Sequence, residues 1–249
     1  MKVSSFTLKL VAFFSITCYC VAYSGLIPGQ YIKLQFILSV LGMISLPLIA
    51  FLVDESYRRT GNMNKLMLRA FAIALISAFP YRYAFISETD MGISLVQSFF
   101  SGALTSFCCI GLILFYDKMK TRNQRIFCVA FICAISMLIG MELAPYALII
   151  TGIIHITRNK KFYEMAYYIV CFLVVISLVN IGILIMSDTS QINDGEIMRN
   201  ISMFGGIFAL PLIKKYDGTK GPSNKFITFC SYAFYPILLT IISIIKLLH

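Results

Sequence analysis

Apolar residues run along this chain in long uninterrupted stretches, broken by short clusters of charge and turn residues, with no alternation of period two. Unbroken apolar runs that approach ~20 residues match the thickness of a hydrocarbon core. The breaks divide the sequence into about nine spans, at residues 6–24, 33–53, 66–86, 92–116, 126–140, 143–156, 164–186, 198–213 and 226–246. The fifth, sixth and eighth are short, and shielding by neighbouring helices or partial insertion would accommodate them. The pattern predicts an all-α polytopic transmembrane bundle, built as one integral membrane domain over residues 1–249. No linker, low-complexity tract or internal repeat interrupts it.

Composition agrees with this division. Hydrophobic residues make up 59% of the 249, and charged residues only 13%. A soluble domain carries about twice that charge fraction. The net charge of +10 would suit nucleic acid if it gathered on a folded soluble surface, but it does not. All but four of the 21 lysines and arginines (Lys33, Arg82, Arg199 and Lys246) fall on one side of the alternating spans. The opposite loops hold Glu88, Asp90, Glu142, Asp188, Asp194 and Glu196. Basic loops stay in the cytoplasm, so the amino terminus is expected inside and the carboxyl terminus in the periplasm. The lipid bilayer, not nucleic acid, is the expected partner of this charge.

Few residues are equipped for chemistry. The stretch FFSITCYCVAY holds Cys18 and Cys20. Two positions on a helix are about 200° apart, so the pair cannot grip one metal ion, and no zinc set is completed by histidine. All eight cysteines lie in apolar segments, and most read as small core residues;. A signal peptidase site after this run is poor, so a retained helix is expected. His155 stands near the inner end of a span beside Arg158, and His249 is the last residue; neither suggests a Ser/His/Asp arrangement. The segments VDESYRRTGNMNKLMLR (53–69) and KKYDGTKGPSNKF (214–226) read as inner loops whose cations could meet phosphate. Pro47 should kink or break the span ahead of the first.

Taken in order, several of these pieces resemble the TraX family of bacterial membrane proteins. The stretch 46–81 carries Pro47, Ala50, Phe51, Glu55, Tyr57, Arg58, Thr60, Arg69 and Pro80-Tyr81 at matching places. The loop at 214–226, followed by SYAFYP (231–236), resembles the family's closing motif, and LKLVA (8–12) its opening. The resemblance implies an inner-membrane protein concerned with pilin, either acetylating it from acetyl-CoA or assisting fimbrial assembly. It also implies an Asp-His pair in the first helix and a histidine after the closing Phe-Tyr-Pro. Tyr19 and Cys20 occupy the first of these places and Leu238 the second. Neither can act as the neutral-pH base that histidine provides, although Cys20 could in principle accept an acyl group.

The leading expectation is therefore an accessory protein of type IV fimbrial assembly, acting on or with pilin or another assembly component and needing no cofactor. The alternative is an acetyl-CoA-dependent acyltransferase, with Cys20 as a weak nucleophile candidate. Glu55, Arg58, Arg69 and Lys220 are the expected contacts to a partner or acyl donor. A small transporter or immunity-type protein would need charge buried within spans, and only Arg82 and Glu142 approach that description.

Overall fold

The computed structural model describes residues 3–85, 102–138, 144–186, 194–222 and 224–248. Helices dominate, and among the described residues the β-pairing consists of an isolated bridge between Val3 and Tyr216. In chain order the helices are α1 Ser5–Tyr23, α2 Ile32–Met43, α3 Ser45–Arg59, α4 Met63–Phe85, α5 Gly102–Lys118 and α6 Arg122–Leu138. They continue as α7 Ala144–Thr157, α8 Phe162–Met186, α9 Asp194–Ser202, α10 Ala209–Lys214 and α11 Lys225–Leu248, with 3₁₀ turns at Gly29–Tyr31 and Met203–Phe208.

Among the described residues five helical stretches are long and apolar enough to cross a membrane: Ser5–Tyr23, Gly29–Arg59, Met63–Phe85, Phe162–Gly182 and Ile227–Leu248. Pro145–Thr157 and Asn200–Lys214 are apolar but shorter. This is a membrane protein, and most of the helices coincide with the expected spans. The expected acidic residues Glu88, Asp90, Glu142 and Asp188 lie outside the described residues, as do the start of the fourth span and His249.

The chain forms two compact units. The first comprises Met1–Leu48 and Thr157–Gly221, and the second Ile49–Ile156 and Pro222–His249.

In the first unit α1 packs along α2, and α2 against α9 and the Met203–Phe208 turn. Glycine permits these approaches. A Cβ on Gly42 would stand 2.7 Å from Tyr19 Cα. One on Gly205 would stand 2.1 Å from the Val40 carbonyl oxygen. The meeting point coincides with the break between α2 and α3 at Ile44. Pro47 lacks the N–H that would bond the Met43 carbonyl, and its ring crowds that oxygen. Ser45 Oγ donates to the nearby Gly42 carbonyl at 2.7 Å. The expected kink is thus present, three residues before the proline.

The loop after α10 ties down the start of the chain. Val3 N–H donates to Lys215 O (3.0 Å), Asp217 N–H to Val3 O (3.1 Å) and Ser5 N–H to Thr219 O (2.9 Å). Asp217 Oδ1 accepts from both Thr219 N (2.9 Å) and Thr219 Oγ1 (2.6 Å). Gly218 and Gly221 adopt φ of 78° and 69°, conformations that cost other residues a Cβ clash. That is the physical reason for a Gly-x-x-Gly spacing here.

In the second unit α4 packs on α11 and on α5, and α5 on α6. Ala74 and Leu104 are buried there, with Ile73, Phe107, Cys108 and Tyr235 around them. Ser243 of α11 donates to the Pro80 carbonyl at 2.8 Å, and Lys246 Nζ to Ala84 O at 3.3 Å. The first bond ties α11 to α4, and the second serves a carbonyl in the last turn of α4.

If the close approaches are as tight as these distances, Gly205→Ala and Gly42→Ala should each lower stability by about 1–3 kcal/mol or more, as overpacking does. Gly111→Ala, where nothing lies within 4 Å of the added Cβ, should be neutral or mildly stabilising. Thermal unfolding of the detergent-solubilised variants checks the ranking; equal melting of Gly205→Ala and Gly111→Ala would refute it.

Candidate functional site

The segment 53–69 is not one long loop. Helix α3 runs on to Arg59, so only residues 60–62 connect it to α4. Helical spacing then decides the partners. Asp54 and Arg58, and Glu55 and Arg59, stand one turn apart and pair along the helix;. The difference from the sequence expectation has a simple cause. Four charges in six residues look like a solvated loop, yet as two i, i+4 pairs they neutralise one another on a helix.

Asp54 is fully buried, at 0% exposure. A carboxylate taken out of water must be paired and hydrogen-bonded. Arg58 Nε donates to Oδ2 at 3.1 Å, and His155 Nδ1 lies 2.7 Å from Oδ1. The other ring nitrogen, His155 Nε2, lies 3.0 Å from Oδ1 of Asp117. Tyr57 Oη donates to Oδ2 of the same Asp117 at 2.8 Å. The outcome is a line of carboxylate, imidazole and carboxylate, from the buried Asp54 out to Asp117, whose side chain is 45% exposed.

All of these residues belong to the second unit, and they come from three helix ends. Asp54, Tyr57 and Arg58 lie in the last turns of α3, Asp117 at the end of α5, and His155 in the last turn of α7. Helix C-termini carry unsatisfied carbonyls and partial negative charge. Cations meet them here. Arg58 Nη2 donates to His155 O at 3.3 Å, and Arg125 Nε donates to Met119 O at 3.0 Å. The rings of Tyr57 and Tyr116 approach the imidazole edge-on, with centroids 6.0 and 5.9 Å away. Arg125 lies 5.0 Å over the Tyr116 ring.

Chemically the arrangement handles protons. A neutral imidazole has one N–H, whereas both nitrogens here face carboxylate oxygens. Only the imidazolium can donate at both positions. The ring places its nitrogens on opposite sides, so the two aspartates cannot share one metal ion with it. Among the described residues no group of three or more His, Cys, Asp or Glu is placed to hold a metal.

The sequence reading finds no partners for His155, and the Asp54–His155–Asp117 line is not part of it. The signal that could have found the line is that Asp54, Asp117 and His155 each stand near the end of an apolar segment. The other expected site residues are dispersed. Glu55 is buried and paired with Arg59. Arg69 lies 5.9 Å over the Tyr232 ring. Lys220 is exposed on the loop of the first unit. Cys20 is 1% exposed on α1, beside the half-buried Tyr19, whose ring meets Tyr23 at 4.6 Å. Tyr19 and Cys20 belong to the first unit and Leu238 to the second. All eight cysteines are free thiols.

Removing one member of the line should be costly in proportion to what it strands. His155→Ala leaves the buried Asp54 with a lost partner, and a loss of about 3–5 kcal/mol is expected for a broken buried pair. Asp117→Asn, at the exposed end, should cost about 1 kcal/mol or less. Unfolding midpoints of the two variants test the order, and a larger loss for Asp117→Asn would contradict it.

No curated protein and no solved structure matches this chain. The family model described as TraX protein matches residues 4–246. That match takes in both units, the α3 motif and the glycine loop after α10, and on it the chain belongs to the TraX family.

Proposed function

We propose that this protein is an inner-membrane accessory factor of type IV fimbrial assembly, acting on or with pilin or another assembly component as one integral membrane domain. The TraX family is linked to pilin modification and F-pilus assembly, which supplies the setting. The accessory role rests on the state of α1. Cys20 stands where the family resemblance expects a histidine, and it is packed to 1% exposure. Next to it, α2 approaches so closely that Gly42 cannot accept a Cβ without meeting Tyr19. A buried thiol in apolar packing is a poor nucleophile, so this position is filled as core. Apolar helix packing, not covalent chemistry, would then hold the partner.

A second reading has its own observation. The buried Asp54 orients His155 in the way that an acid orients a general base, so an acyl transfer from acetyl-CoA to pilin has a candidate base outside α1. In this reading Arg58, beside His155, is a candidate contact for the acyl donor's phosphates;.

The mass of pilin from cells with and without this protein separates the readings. An unchanged mass together with lost piliation supports the accessory role, and an acetyl-sized difference supports the second. Cys20→Ala should leave piliation near the wild-type level. Glu55→Ala and Arg58→Ala should reduce it severalfold, because each strands a charge in the α3 motif; full piliation in both would count against that motif.

The proposed orientation places the amino terminus in the cytoplasm and the carboxyl terminus in the periplasm. A reporter inserted at residues 60–62 or 119–121 should then register inside, and one fused after His249 outside. A cytoplasmic signal from the last would reverse the assignment.

A further inference from the structure

We propose that His155 is a proton-operated latch: its doubly protonated ring ties the turn between α5 and α6 to α3 and α7, and loss of one proton breaks the ring's bond to Asp117 and loosens that turn. The inference goes beyond the proposed function and does not depend on it.

The geometry sets which bond is lost. With one N–H remaining, His155 can serve Asp54 or Asp117 but not both. Asp54 is fully buried, and turning a ring lone pair instead of an N–H toward its oxygen would set two acceptors against each other where water does not reach. Asp117 is 45% exposed and can take water in place of the ring. The remaining proton therefore stays at Nδ1, facing Asp54. Nε2 then presents a lone pair to a carboxylate at the distance where it had donated, and attraction becomes repulsion.

The turn between α5 and α6 is braced by its own bonds. Thr121 Oγ1 accepts from Gln124 N, and Gln124 Oε1 accepts from Thr121 N, both at 3.3 Å. This reciprocal cap opens α6. Arg125 closes the turn by donating to Met119 O and stacking on Tyr116. Release at Asp117 thus acts on a stiff turn, not on a loose loop.

The charged and titratable neighbours fix the sign. Asp54 and Arg58 face the ring from α3, with Tyr57 beside them. Asp117 and Tyr116 face it from α5. Arg125 of α6 lies on Tyr116, Glu55 is paired with Arg59, and Arg158 follows three residues on along the chain. Two carboxylates and one guanidinium surround the imidazole, so its protonated form completes the charge balance. The tie is whole when the ring is protonated and weakens as pH rises through its titration.

The chain has two histidines, His155 and His249, which makes the test direct. Protein labelled with ¹⁵N at histidine, reconstituted in lipid nanodiscs, is followed by NMR between about pH 6 and about pH 9, the range in which histidine titrates. His249→Ala assigns the signals. Hydrogen exchange over residues 115–126, corrected for intrinsic rates, is measured at both ends. His155 should carry two N–H protons at the lower pH and one at the higher. Protection of the hairpin turn should fall on the order of fivefold, as for loss of a half-exposed ion pair. Asp117→Asn should abolish that pH dependence. Tyr57→Phe, which removes only the other bond to Asp117, should lower protection at both pH values and keep the difference between them. A ring with one N–H at both pH values overturns the latch. So does equal protection at both, or a Tyr57→Phe variant whose protection no longer depends on pH.

Discussion

The buried charge of Asp54 is the constraint that organises the second unit around its polar end. A carboxylate at zero exposure costs several kcal/mol in lost hydration unless partners replace the water. One partner comes from its own helix, Arg58, at the spacing that helical geometry provides;. The other comes from a helix a hundred residues further along the chain. Once His155 is held at Nδ1, its Nε2 points to where α5 ends, and Asp117 meets it there. Three helix termini are thereby fixed by one requirement, that a single oxygen pair not be left dry. The arrangement also explains the arginines. Arg58 reaches past Asp54 to the His155 carbonyl and Arg125 to the Met119 carbonyl, so the cations neutralise side chains and cap helix ends together.

The first unit solves a different problem by different means. Its described helices rely on backbone proximity. Gly42 and Gly205 let α1, α2 and the Met203–Phe208 turn approach to distances at which a methyl group would collide. In a bilayer, packing between helices gains little from the hydrophobic effect, because lipid is as apolar as leucine; close van der Waals contact takes its place. Pro47 adds a break where the Met203–Phe208 turn meets α2. The glycine loop at 218–221 then binds the first residues of the chain through backbone hydrogen bonds, which side-chain substitutions at Val3 or Ser5 would barely alter.

Much of the helical architecture was legible because it follows from hydropathy alone. Apolar run length and the sidedness of lysine and arginine give elements that coincide with α1, α4, α8 and α11. Arg58 and His155, both expected near inner ends of spans, do meet. The site itself was obscured by two local ambiguities. Residues 54–59 have the composition of a loop, and nothing in the sequence says that an apolar helix carries on through them until the two i, i+4 pairs are counted. His155 was judged as a lone interfacial histidine, because its partners lie 38 and 101 residues away. Sequence spacing reveals pairs within a helix; pairs between helix ends depend on packing that hydropathy does not specify.

The placement of polar chemistry in this protein follows from the solvent it sits in. A titratable group at the centre of a span must be satisfied entirely by protein, and its protonation changes are expensive. At a helix end the same group borrows stabilisation from the helix dipole and from snorkelling cations. The position expected to carry a histidine in α1, residue 20, is packed to 1% exposure among apolar neighbours and is a thiol that needs no hydrogen-bond partner;. The histidine that does make specific contacts is at a terminus, between one aspartate sealed from water and one open to it. That gradient of exposure is what gives the His155 ring two inequivalent sides. Were Asp54 and Asp117 equally buried, a proton lost from the ring would have no preferred origin and no directed consequence. Because they differ so sharply, the loss falls on Asp117, and the buried half of the network stays closed.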